Sequence, residues 1–536
     1  MARTTLAAAA AFAALAAAPH PAAGASLRNV PSPPSVTLPG DASAASANAD
    51  PDTWIVGVLH GGGAIARAHG AKRIAGGAWL APRSRTRTLA AVLRSRGQLD
   101  YAEPNRFGRS VAAPPPDPLS PFARWRDFVV GDAEPPTVGP DSPLTGVVDT
   151  LIDVNHPEIA GSNIRTTGGA ALKDLHGTAT TTVAAAPANG VGMLGIWPGA
   201  NVLNVPLPNG ERISCADSTR GIARAINAGA AVINMSYGSA AKCTAEEQQI
   251  LRAIEAGAVP VAAAGNEFEQ GNPLEFPASL PHVITVGAIG PDDNPTGFSN
   301  ESGALDLSAP GIGILTGVPV RFDTRDGGPD GFSYVDGTSF AAPMVAAAVA
   351  WVRAARPELT PFQAAQAVRL GARDVGDGGY DNATGFGVLN LPGALSHDPP
   401  DEDPQEPNDD IRYVDGRAFG RATPPLYTGR AASIAASADY AEDPVDVYRI
   451  RIPAGRRVRL TLDPSFGDPD LLVFGARTRS VHKTHSLRSS FKNGGATERL
   501  SIRNRGRRAR TLYAAVGFHS RKTPKILDAT YVLRVR

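Results

Sequence analysis

The feature that most constrains this chain of 536 residues is a short segment in its second half, Gly-Thr-Ser-Phe-Ala-Ala-Pro at residues 337–343. A run of small apolar residues at 341–352 follows and predicts a buried helix. Ser339 would lie in the first turn of that helix, where unpaired backbone N–H groups and the helix dipole favour developing negative charge. Pro343 is tolerated only near a helix start, which indicates that the helix begins here. Taken alone, the segment fits an ordinary serine that caps a helix equally well.

Short apolar strands alternate with helical stretches between residues 146 and 395. Strands are predicted at 146–148, 202–205, 231–235, 260–263 and 283–286, and helices at 218–228 and 244–256. This alternation is typical of a parallel sheet that helices cover on both faces. In such sheets, functional residues gather where strands end and helices begin. We therefore predict an α/β domain with its site at one edge of the sheet.

Three polar side chains fall at such positions. Asp149 ends the first predicted strand, His176 begins a helix, and Asn266 follows the fourth strand. Hydrolysis of an amide by a hydroxyl needs a neutral imidazole as base and a carboxylate that orients it. Asp149, His176 and Ser339 supply one of each, and the Asn266 amide is a candidate donor to an oxyanion. Each residue alone also fits a cap, a core hydrogen bond or a turn, but the combination favours catalysis.

Together these segments resemble the signature of the subtilisin-like serine proteases, the subtilase family. Asp-Thr at 149–150, His-Gly-Thr at 176–178, Ala-Gly-Asn at 264–266 and the segment at 337–343 match in order, within a resemblance that covers about residues 126–395. The resemblance implies that Ser339 is the nucleophile, His176 the general base and then acid, and Asp149 the carboxylate that orients the ring. Asn266 and the Ser339 N–H would hold the oxyanion. The chain departs from the family at Leu151, where most relatives have Gly, and it lacks the second His that many relatives carry after the His motif; Leu151 leaves open whether activity is lowered.

The resemblance also assigns a substrate-binding region, in which a peptide pairs as an extra strand with two backbone edges. The walls of the primary specificity pocket would be Ser236, Tyr237 and Gly238 on one side and Ala263, Ala264 and Gly265 on the other. Glu275 would lie near the pocket floor, where a carboxylate favours a basic side chain before the scissile bond. The alternative is a loop glutamate exposed to solvent, which is the commoner situation.

Two cysteines are present, Cys215 and Cys243. In an exported protein this even number favours one disulfide, and two free buried thiols are the alternative. By the resemblance, the bridge would pin both sides of the outer substrate pocket. The chemistry requires no cofactor, but the family implies a possible structural calcium ion at Glu158 and Asn189, together with the carbonyls of residues 191 and 193.

Flanking segments complete the first part of the chain. Residues 1–25 predict a signal peptide, with an Ala-rich disordered tail as the alternative, and residues 26–51 predict a disordered segment. Residues 52–107 resemble the inhibitor-type propeptide of the family, and we expect self-cleavage between residue 106 and about residue 115. The peptidase domain would cover residues 108–396, with few regular elements at 111–144, and a linker rich in Pro and acidic residues would cover 397–410.

Residues 411–536 predict short strands separated by turns, which is typical of a β-sandwich, and resemble the pre-peptidase C-terminal domain found behind secreted proteases. Asp468 and Asp470 would either form a turn or bind calcium. This region holds 25 Lys and Arg against 10 Asp and Glu, a net charge of +15, whereas the rest of the chain carries −14. The asymmetry suggests contact with an anionic cell-surface polymer, and a solvated basic face is the alternative.

The leading hypothesis is a secreted, monomeric serine endopeptidase that is made as an autoprocessed zymogen. Its partners would be protein or peptide substrates and its own propeptide, which acts as an intramolecular inhibitor, with no nucleic acid and no membrane. No run after the signal peptide is both long and apolar enough to span a bilayer. The other hypothesis is a secreted binding protein of protease fold that has lost turnover and uses its basic β domain.

Overall fold

The chain divides into two compact units, Met1–Ala113 and Pro114–Arg536. The computed structural model describes residues 36–40, 49–106, 117–169, 171–208, 210, 212–324, 328–401, 403–439, 443–482, 484–518 and 528–536. The predicted signal peptide, most of the predicted disordered segment and the predicted self-cleavage region beyond Arg106 lie outside these residues.

The first unit is a four-stranded antiparallel sheet with two helices. Its elements are β1 (Ala49–Val58), α1 (Gly63–Ala68), β2 (Lys72–Ala75), β3 (Ala78–Pro82), α2 (Arg83–Ser95) and β4 (Leu99–Arg106). The strand order is β2-β3-β1-β4. Alternate residues of a strand share one face, and Trp54 and Val56 of β1 are buried with Leu89 and Leu93 of α2 in one core.

The second unit begins with an α/β domain, as predicted. Its elements are α3 (Arg124–Val130), β5 (Thr145–Asp149), β6 (Ile164–Thr166), α4 (His176–Ala185), β7 (Val202–Pro206), α5 (Cys215–Asn227), β8 (Val232–Met235), α6 (Thr244–Glu255), β9 (Val259–Ala263), β10 (Ile284–Ile289), β11 (Leu307–Pro310), β12 (Ile314–Gly317), β13 (Phe332–Val335), α7 (Thr338–Ala355), α8 (Pro361–Leu370) and α9 (Leu391–Ser396). Seven parallel strands form one sheet in the order β11-β10-β9-β8-β5-β7-β6, and β12 and β13 form a separate hairpin.

Helices cover both faces of the parallel sheet. Val147 of β5 packs into the core that contains α7, whereas the adjacent Val148 packs into the core that contains Ile222 of α5 and Ile250 of α6. Because both faces of β5 are buried, its three central residues, Gly-Val-Val at 146–148, are all apolar. The carboxyl ends of β5 and β9, which β8 separates, lie at the same edge of the sheet. The fold thus brings Asp149 and the segment after Ala263 to one side of the domain.

Helix α7 runs through the centre of the domain. Every residue from Phe340 to Val352 is buried, and six of these thirteen residues are Ala, whose small side chains let the helix approach the strands closely. Of the described helices, α7 alone is long and apolar enough to cross a membrane by length and composition, and 78% of that apolar window is buried inside the protein. The observed helix starts at Thr338, so Ser339 lies in its first turn, as predicted.

The prediction of few regular elements before β5 is wrong at α3. Trp125 of this helix is 6% exposed, and its indole N–H donates to the carbonyl of Leu315 at 3.1 Å. Arg126 donates to the carbonyl of Gly195 at 2.7 Å. These distant contacts stabilise a helix that a Pro-rich local sequence does not indicate.

The last part of the second unit is a sandwich of two antiparallel sheets. Its elements are α10 (Ile411–Val414), β14 (Ala432–Asp439), β15 (Val445–Ile452), β16 (Arg457–Phe466), β17 (Asp470–Phe474), β18 (Arg488–Ser490), β19 (Glu498–Arg503), β20 (Arg510–Gly517) and β21 (Asp528–Val535). The sheets have the orders β14-β21-β16-β19 and β15-β20-β17-β18. A β-sandwich is as predicted. Strand β14 is made mostly of Ala and Ser, and β18 has only three residues, so neither carries a strong sequence signal for a strand.

Ion pairs join the sandwich to the α/β domain. Arg369 of α8 lies 2.7 Å from Asp306 and 2.9 Å from Asp439 of β14, and its side chain is 8% exposed. Arg412 of α10 lies 2.8 Å from Glu247 of α6. Because the Arg369 pair is largely withheld from water, it is screened less than a surface pair and helps to fix how the two domains dock.

Candidate active site

The Asp149 carboxylate and the His176 imidazole are hydrogen-bonded at the carboxyl edge of the sheet. Oδ1 of Asp149 lies 2.7 Å from Nδ1 of His176, and Oδ2 accepts a hydrogen bond from the Thr180 hydroxyl at 3.0 Å. The Asp149 side chain is 3% exposed, while that of His176 is 25% exposed. A carboxylate accepts only, so the neutral ring carries its proton on Nδ1 and leaves Nε2 as an acceptor.

A second hydrogen-bonded group fixes the start of α4, where His176 lies. The Asp174 carboxylate accepts from the His176 N–H at 3.0 Å and from the Thr150 hydroxyl at 2.5 Å. The Thr150 hydroxyl in turn accepts from the Gly177 N–H at 2.8 Å. A methyl group at Gly177 would lie 2.1 Å from the Thr150 carbonyl oxygen, so only glycine permits this approach. Hydrogen bonds among Thr150, Asp174 and Gly177 therefore fix the backbone that holds the His176 imidazole beside Asp149.

The Leu151 position, where relatives carry Gly, accommodates its side chain. Among the described residues, positive φ at a non-glycine occurs only at Asn272, His282, Asp293 and Gln405, so Leu151 does not need glycine's conformational freedom. The side chain of Leu151 is half-buried. The backbone beside Asp149 is thus unstrained by this substitution.

Ser339 and Ser236 exchange hydrogen bonds across the site. The Ser236 hydroxyl donates to the Ser339 carbonyl at 2.7 Å, and the Ser339 hydroxyl donates to the Ser236 carbonyl at 3.3 Å. Pro343 has no N–H, so the helix leaves the Ser339 carbonyl without its usual partner four residues on, and Ser236 occupies that place. The ring of Phe340, the next residue, lies 5.5 Å from the His176 ring. The first turn of α7 is thereby set beside the imidazole.

The Asn266 side chain is oriented by Thr338. Its Oδ1 accepts from the Thr338 N–H at 2.9 Å and from the Thr338 hydroxyl at 3.0 Å. Because a backbone N–H can only donate, the oxygen must face Thr338, and the amide Nδ2 faces the other way. Nδ2 has no hydrogen-bond partner among the described residues and remains available as a donor next to the start of α7.

Glu275 lies between the two segments predicted as pocket walls. A methyl group at Gly238 would lie 2.8 Å from its Oε2, and one at Gly265 would lie 2.8 Å from its Cγ. Glu275 is 7% exposed, so the alternative of an exposed loop glutamate is wrong. Burial, and then repulsion by Glu267, raise the pKa of its carboxyl to about 7.

Three of the other residues predicted as pocket walls direct their side chains into the core. Ala263 and Ala264 are buried, and the Tyr237 ring packs against the core that contains Ile222 and Ile250. These residues therefore offer a pocket mainly their backbone.

Cys215 and Cys243 form the predicted disulfide, with Cα atoms 5.9 Å apart. Cys215 begins α5, and Cys243 immediately precedes α6. The bridge thus ties together two helices on the same face of the sheet. Its predicted role at the outer substrate pocket stays a prediction.

In the loop where calcium was predicted, the side-chain oxygens of Glu158 and Asn189 already accept hydrogen bonds from N–H groups. The two oxygens of the buried Glu158 carboxyl accept from the Met193 N–H at 2.7 Å and from the Asn189 amide at 3.2 Å, and Asn189 Oδ1 accepts from the Val191 N–H at 2.8 Å. Burial raises the pKa of the Glu158 carboxyl to about 8. A neutral carboxyl that faces N–H groups does not fit a cation needing six or more oxygen ligands. The calcium site at Glu158 and Asn189 stays a prediction.

Four supporting residues were not singled out in the sequence: Thr150, Asp174, Thr180 and Thr338. Asp174 had a detectable signal, because an Asp two residues before a helix start commonly accepts a backbone N–H in an Asx turn. The other three are threonines whose partners lie far away in the chain, so no local pattern identifies them.

Comparison with known proteins gives consistent matches for this region. Residues 141–387 match the profile of the subtilase family. Subtilisin DY of Bacillus licheniformis is 30% identical over 261 residues, which cover 46% of this chain and 89% of that protein. Fervidolysin of Fervidobacterium pennivorans is 30% identical over 284 residues, and the match spans 47% of this chain but only 40% of fervidolysin. The crystal structure of the psychrophilic subtilisin-like protease Apa1 from Pseudoalteromonas sp. AS-11 aligns with a TM-score of 0.45 and 18% identity, over 51% of this chain and 97% of that one.

Proposed function

The chain belongs to the subtilase family, and on this premise we propose that it is a serine endopeptidase that hydrolyses peptide bonds through an acyl-enzyme. The observation that carries the proposal is the 2.7 Å bond between Asp149 and His176 beside the first turn of α7, which holds Ser339. A carboxylate that fixes the tautomer of an imidazole next to a serine supplies the parts that this chemistry needs.

In the proposed reaction, His176 Nε2 takes the proton of the Ser339 hydroxyl as its Oγ attacks the carbonyl carbon. The resulting oxyanion accepts hydrogen bonds from Asn266 Nδ2 and from the Ser339 N–H. His176 then gives its proton to the leaving amine, and the C–N bond breaks. A water molecule attacks the acyl-enzyme with His176 again as base, which releases the acid and restores Ser339.

The test is hydrolysis of an unstructured protein substrate by the purified chain, after an added protease has removed the first unit from every variant and has itself been removed. We expect turnover in the parent and its loss in Ser339→Ala, while the surface variant Ser396→Ala retains full activity. Equal activity in parent and Ser339→Ala, with both preparations free of other proteases, would contradict the proposal.

For specificity, we propose that Glu275 favours Lys or Arg before the scissile bond. Its carboxyl lies between Gly238 and Gly265 and has no cationic partner among the described residues. A substrate cation would gain a charge-assisted hydrogen bond in a pocket that is largely closed to water.

We further propose that the chain is exported as a zymogen. Residues 49–106 fold into a separate compact unit, which supports a detachable propeptide. The N-terminus of the extracellular protein should fall beyond Arg106, and Ser339→Ala should retain the first unit. Normal processing of that variant, in cells without other proteases, would contradict self-cleavage.

The outward face of the sandwich supports a contact with an anionic polysaccharide. On neighbouring strands, Arg457 lies opposite Arg503, and Thr461 lies opposite Arg499. All three arginines are exposed, and like charges that face each other across strands weaken a sheet unless a counter-ion joins them. The double variant Arg457→Ser/Arg503→Ser should elute from heparin–agarose at lower salt than the parent, whereas Arg165→Ser on the α/β domain should not. Equal elution would contradict this contact.

A further inference from the structure

Helix α4 contains four threonines, at positions 178, 180, 181 and 182, and all four are fully buried. Threonine is a poor helix former, and a buried hydroxyl is costly unless it has a hydrogen-bond partner. The hydroxyls of Thr178 and Thr182 bond to the loop after β5 and to the hairpin of β12 and β13. The hydroxyl of Thr180 instead reaches the carboxylate of Asp149.

His176 and Thr180 contact the two oxygens of the same carboxylate. They are four residues apart on α4, so their side chains lie on one face of the helix. Nδ1 of His176 lies 2.7 Å from Oδ1 of Asp149, and the Thr180 hydroxyl lies 3.0 Å from Oδ2. A single helix therefore supplies both the imidazole and a second group that holds its carboxylate partner.

The Thr180 hydroxyl has one proton and two acceptors within reach. These are Oδ2 of Asp149 at 3.0 Å and the carbonyl of Gly177 at 3.2 Å. A carbonyl three residues back is a usual partner of threonine in a helix. The carboxylate is closer and charged, and hydrogen bonds to charged acceptors are stronger. The hydroxyl therefore donates to Asp149.

Oδ2 of Asp149 depends on this donor. The Asp149 side chain is 3% exposed, and Thr180 supplies the one hydrogen bond that Oδ2 accepts within the described part of the chain. Oδ1 accepts from the Thr150 N–H at 2.6 Å as well as facing His176. Because the terminal torsion of an aspartate is only loosely restrained by itself, donors at both oxygens are what fix the plane of the carboxylate.

We propose that Thr180 is a positioning residue for the peptidase reaction, whose hydroxyl holds the Asp149 carboxylate so that Oδ1 faces Nδ1 of His176. This inference rests on the proposed function. Without the hydroxyl, Oδ2 would be a buried, charged acceptor with no donor, and the carboxylate would turn towards another N–H and weaken its bond to the ring. His176 would then be less well oriented when its charge develops.

The kinetic test replaces Thr180 with valine, which has a similar shape and no hydroxyl. The first unit is removed from all chains by the same added protease. Since Thr180 is fully buried and does not face a substrate, Thr180→Val should lower kcat about tenfold and leave KM unchanged. Thr180→Ser keeps a hydroxyl at this position and should restore kcat to within about threefold of the parent.

Thr181→Val is the matched control. Thr181 is the next residue of α4 and is also fully buried, but its hydroxyl has no hydrogen-bond partner among the residues that the structure describes. Its replacement should leave kcat unchanged. The control therefore separates the bond to Asp149 from the general effect of placing a valine in this helix.

A spectroscopic readout reports on the carboxylate without any turnover. In Ser339→Ala, the proton between His176 and Asp149 should give a ¹H NMR resonance far downfield, which His176→Ala lacks. Adding Thr180→Val should shift this resonance upfield or broaden it, because the bond lengthens and the carboxylate moves. Adding Thr181→Val should leave it in place.

Several outcomes would overturn the role of Thr180. They are an unchanged kcat or an unchanged resonance in Thr180→Val, an equal loss of kcat in Thr180→Ser, and an equal loss in Thr181→Val. Failure of the proposed function looks different, because hydrolysis by the parent would then not depend on Ser339. In that case the NMR comparison alone decides whether Thr180 holds Asp149.

Discussion

At the scale of single residues, the polarity of backbone groups orients side chains of the proposed catalytic site. The Asn266 side-chain oxygen faces the Thr338 N–H, because that group can only donate a hydrogen bond. Pro343 has no N–H, so the Ser339 carbonyl accepts a hydrogen bond from the Ser236 hydroxyl instead. Neither effect depends on a charged group, so neither changes with pH. The proposed oxyanion donor and nucleophile are therefore held before a substrate binds, which is the condition for strong electrostatic stabilisation of a transition state.

Asn266→Ala tests the donor directly. We expect kcat to fall about 10²–10³-fold with an unchanged melting temperature, a size taken from the loss of one oxyanion donor in a subtilisin. Steady-state hydrolysis of a peptide substrate measures the change. Asn294→Ala, an exposed asparagine that bonds only within its own turn, is the control. A kcat within about threefold of the parent would remove Asn266 from this role.

Glu275 predicts a pH dependence that only basic substrates share. Its carboxyl has a pKa of about 7, so it is mostly neutral below that pH and charged above it. The ratio of kcat/KM for an Arg substrate to that for a Leu substrate should therefore rise as the pH increases from 6 to 8. Any effect of pH that is common to both substrates cancels in the ratio. In Glu275→Gln the ratio should be low and flat; a flat ratio in the parent would contradict the assignment.

At the scale of elements, sequence patterns predicted most strands and helices of the α/β domain because their apolar residues recur with clear periodicity. They also placed Asp149, His176, Asn266 and Ser339 at strand ends or helix starts, where the structure has them. What they could not show is cooperation between distant groups. Helix α3 depends on the hydrogen bond from Trp125 to Leu315, and the threonines around His176 act through partners more than 20 residues away.

The loop around Glu158 predicts how stability varies with pH. The folded carboxyl keeps its proton up to about pH 8, whereas the unfolded one ionises near its ordinary value of 4.5. Between these values the unfolded state binds fewer protons, so the free energy of unfolding falls as pH rises, by at most about 1.4 kcal/mol per pH unit. Glu158→Gln should flatten this fall.

Urea unfolding of Ser339→Ala between pH 5 and 8, with EDTA present, measures the dependence on Glu158. Glu255→Gln, on the exposed last turn of α6, is a control that should keep the parental slope. Stability that does not change over this range in the parent would contradict a protonated Glu158. A fall that added calcium abolishes in the parent but not in Glu158→Gln would instead favour a cation at Glu158.

The disulfide is the one covalent link between α5 and α6. Its closed loop spans 28 positions, which in the chain-entropy model corresponds to about 3.6 kcal/mol. The double variant Cys215→Ser/Cys243→Ser should unfold at lower urea concentration with an unchanged fold. An unchanged unfolding midpoint would show that the bridge does not stabilise the domain.

At the scale of the whole molecule, the two halves of the second unit meet through buried ion pairs and through acidic residues from the linker. The sequence showed the charge asymmetry and the sandwich, but not the junction, because His282 and Asp409 are 127 positions apart. The sandwich presents Arg457, Arg499 and Arg503 on an outward strand face, away from its core. Its proposed polymer contact and its docking to the α/β domain therefore use different surfaces.

The central claim is that Ser339 is a nucleophile activated by His176, and covalent labelling tests it most directly. A fluorophosphonate incubated with the purified mature protein should modify one residue, which peptide mass spectrometry should identify as Ser339. In a folded His176→Ala variant, labelling should slow on the order of 10⁶-fold, the size of the loss in kcat when the histidine of the subtilisin triad is removed. Modification of a different serine, or labelling of Ser339 at the same rate without His176, would contradict the claim.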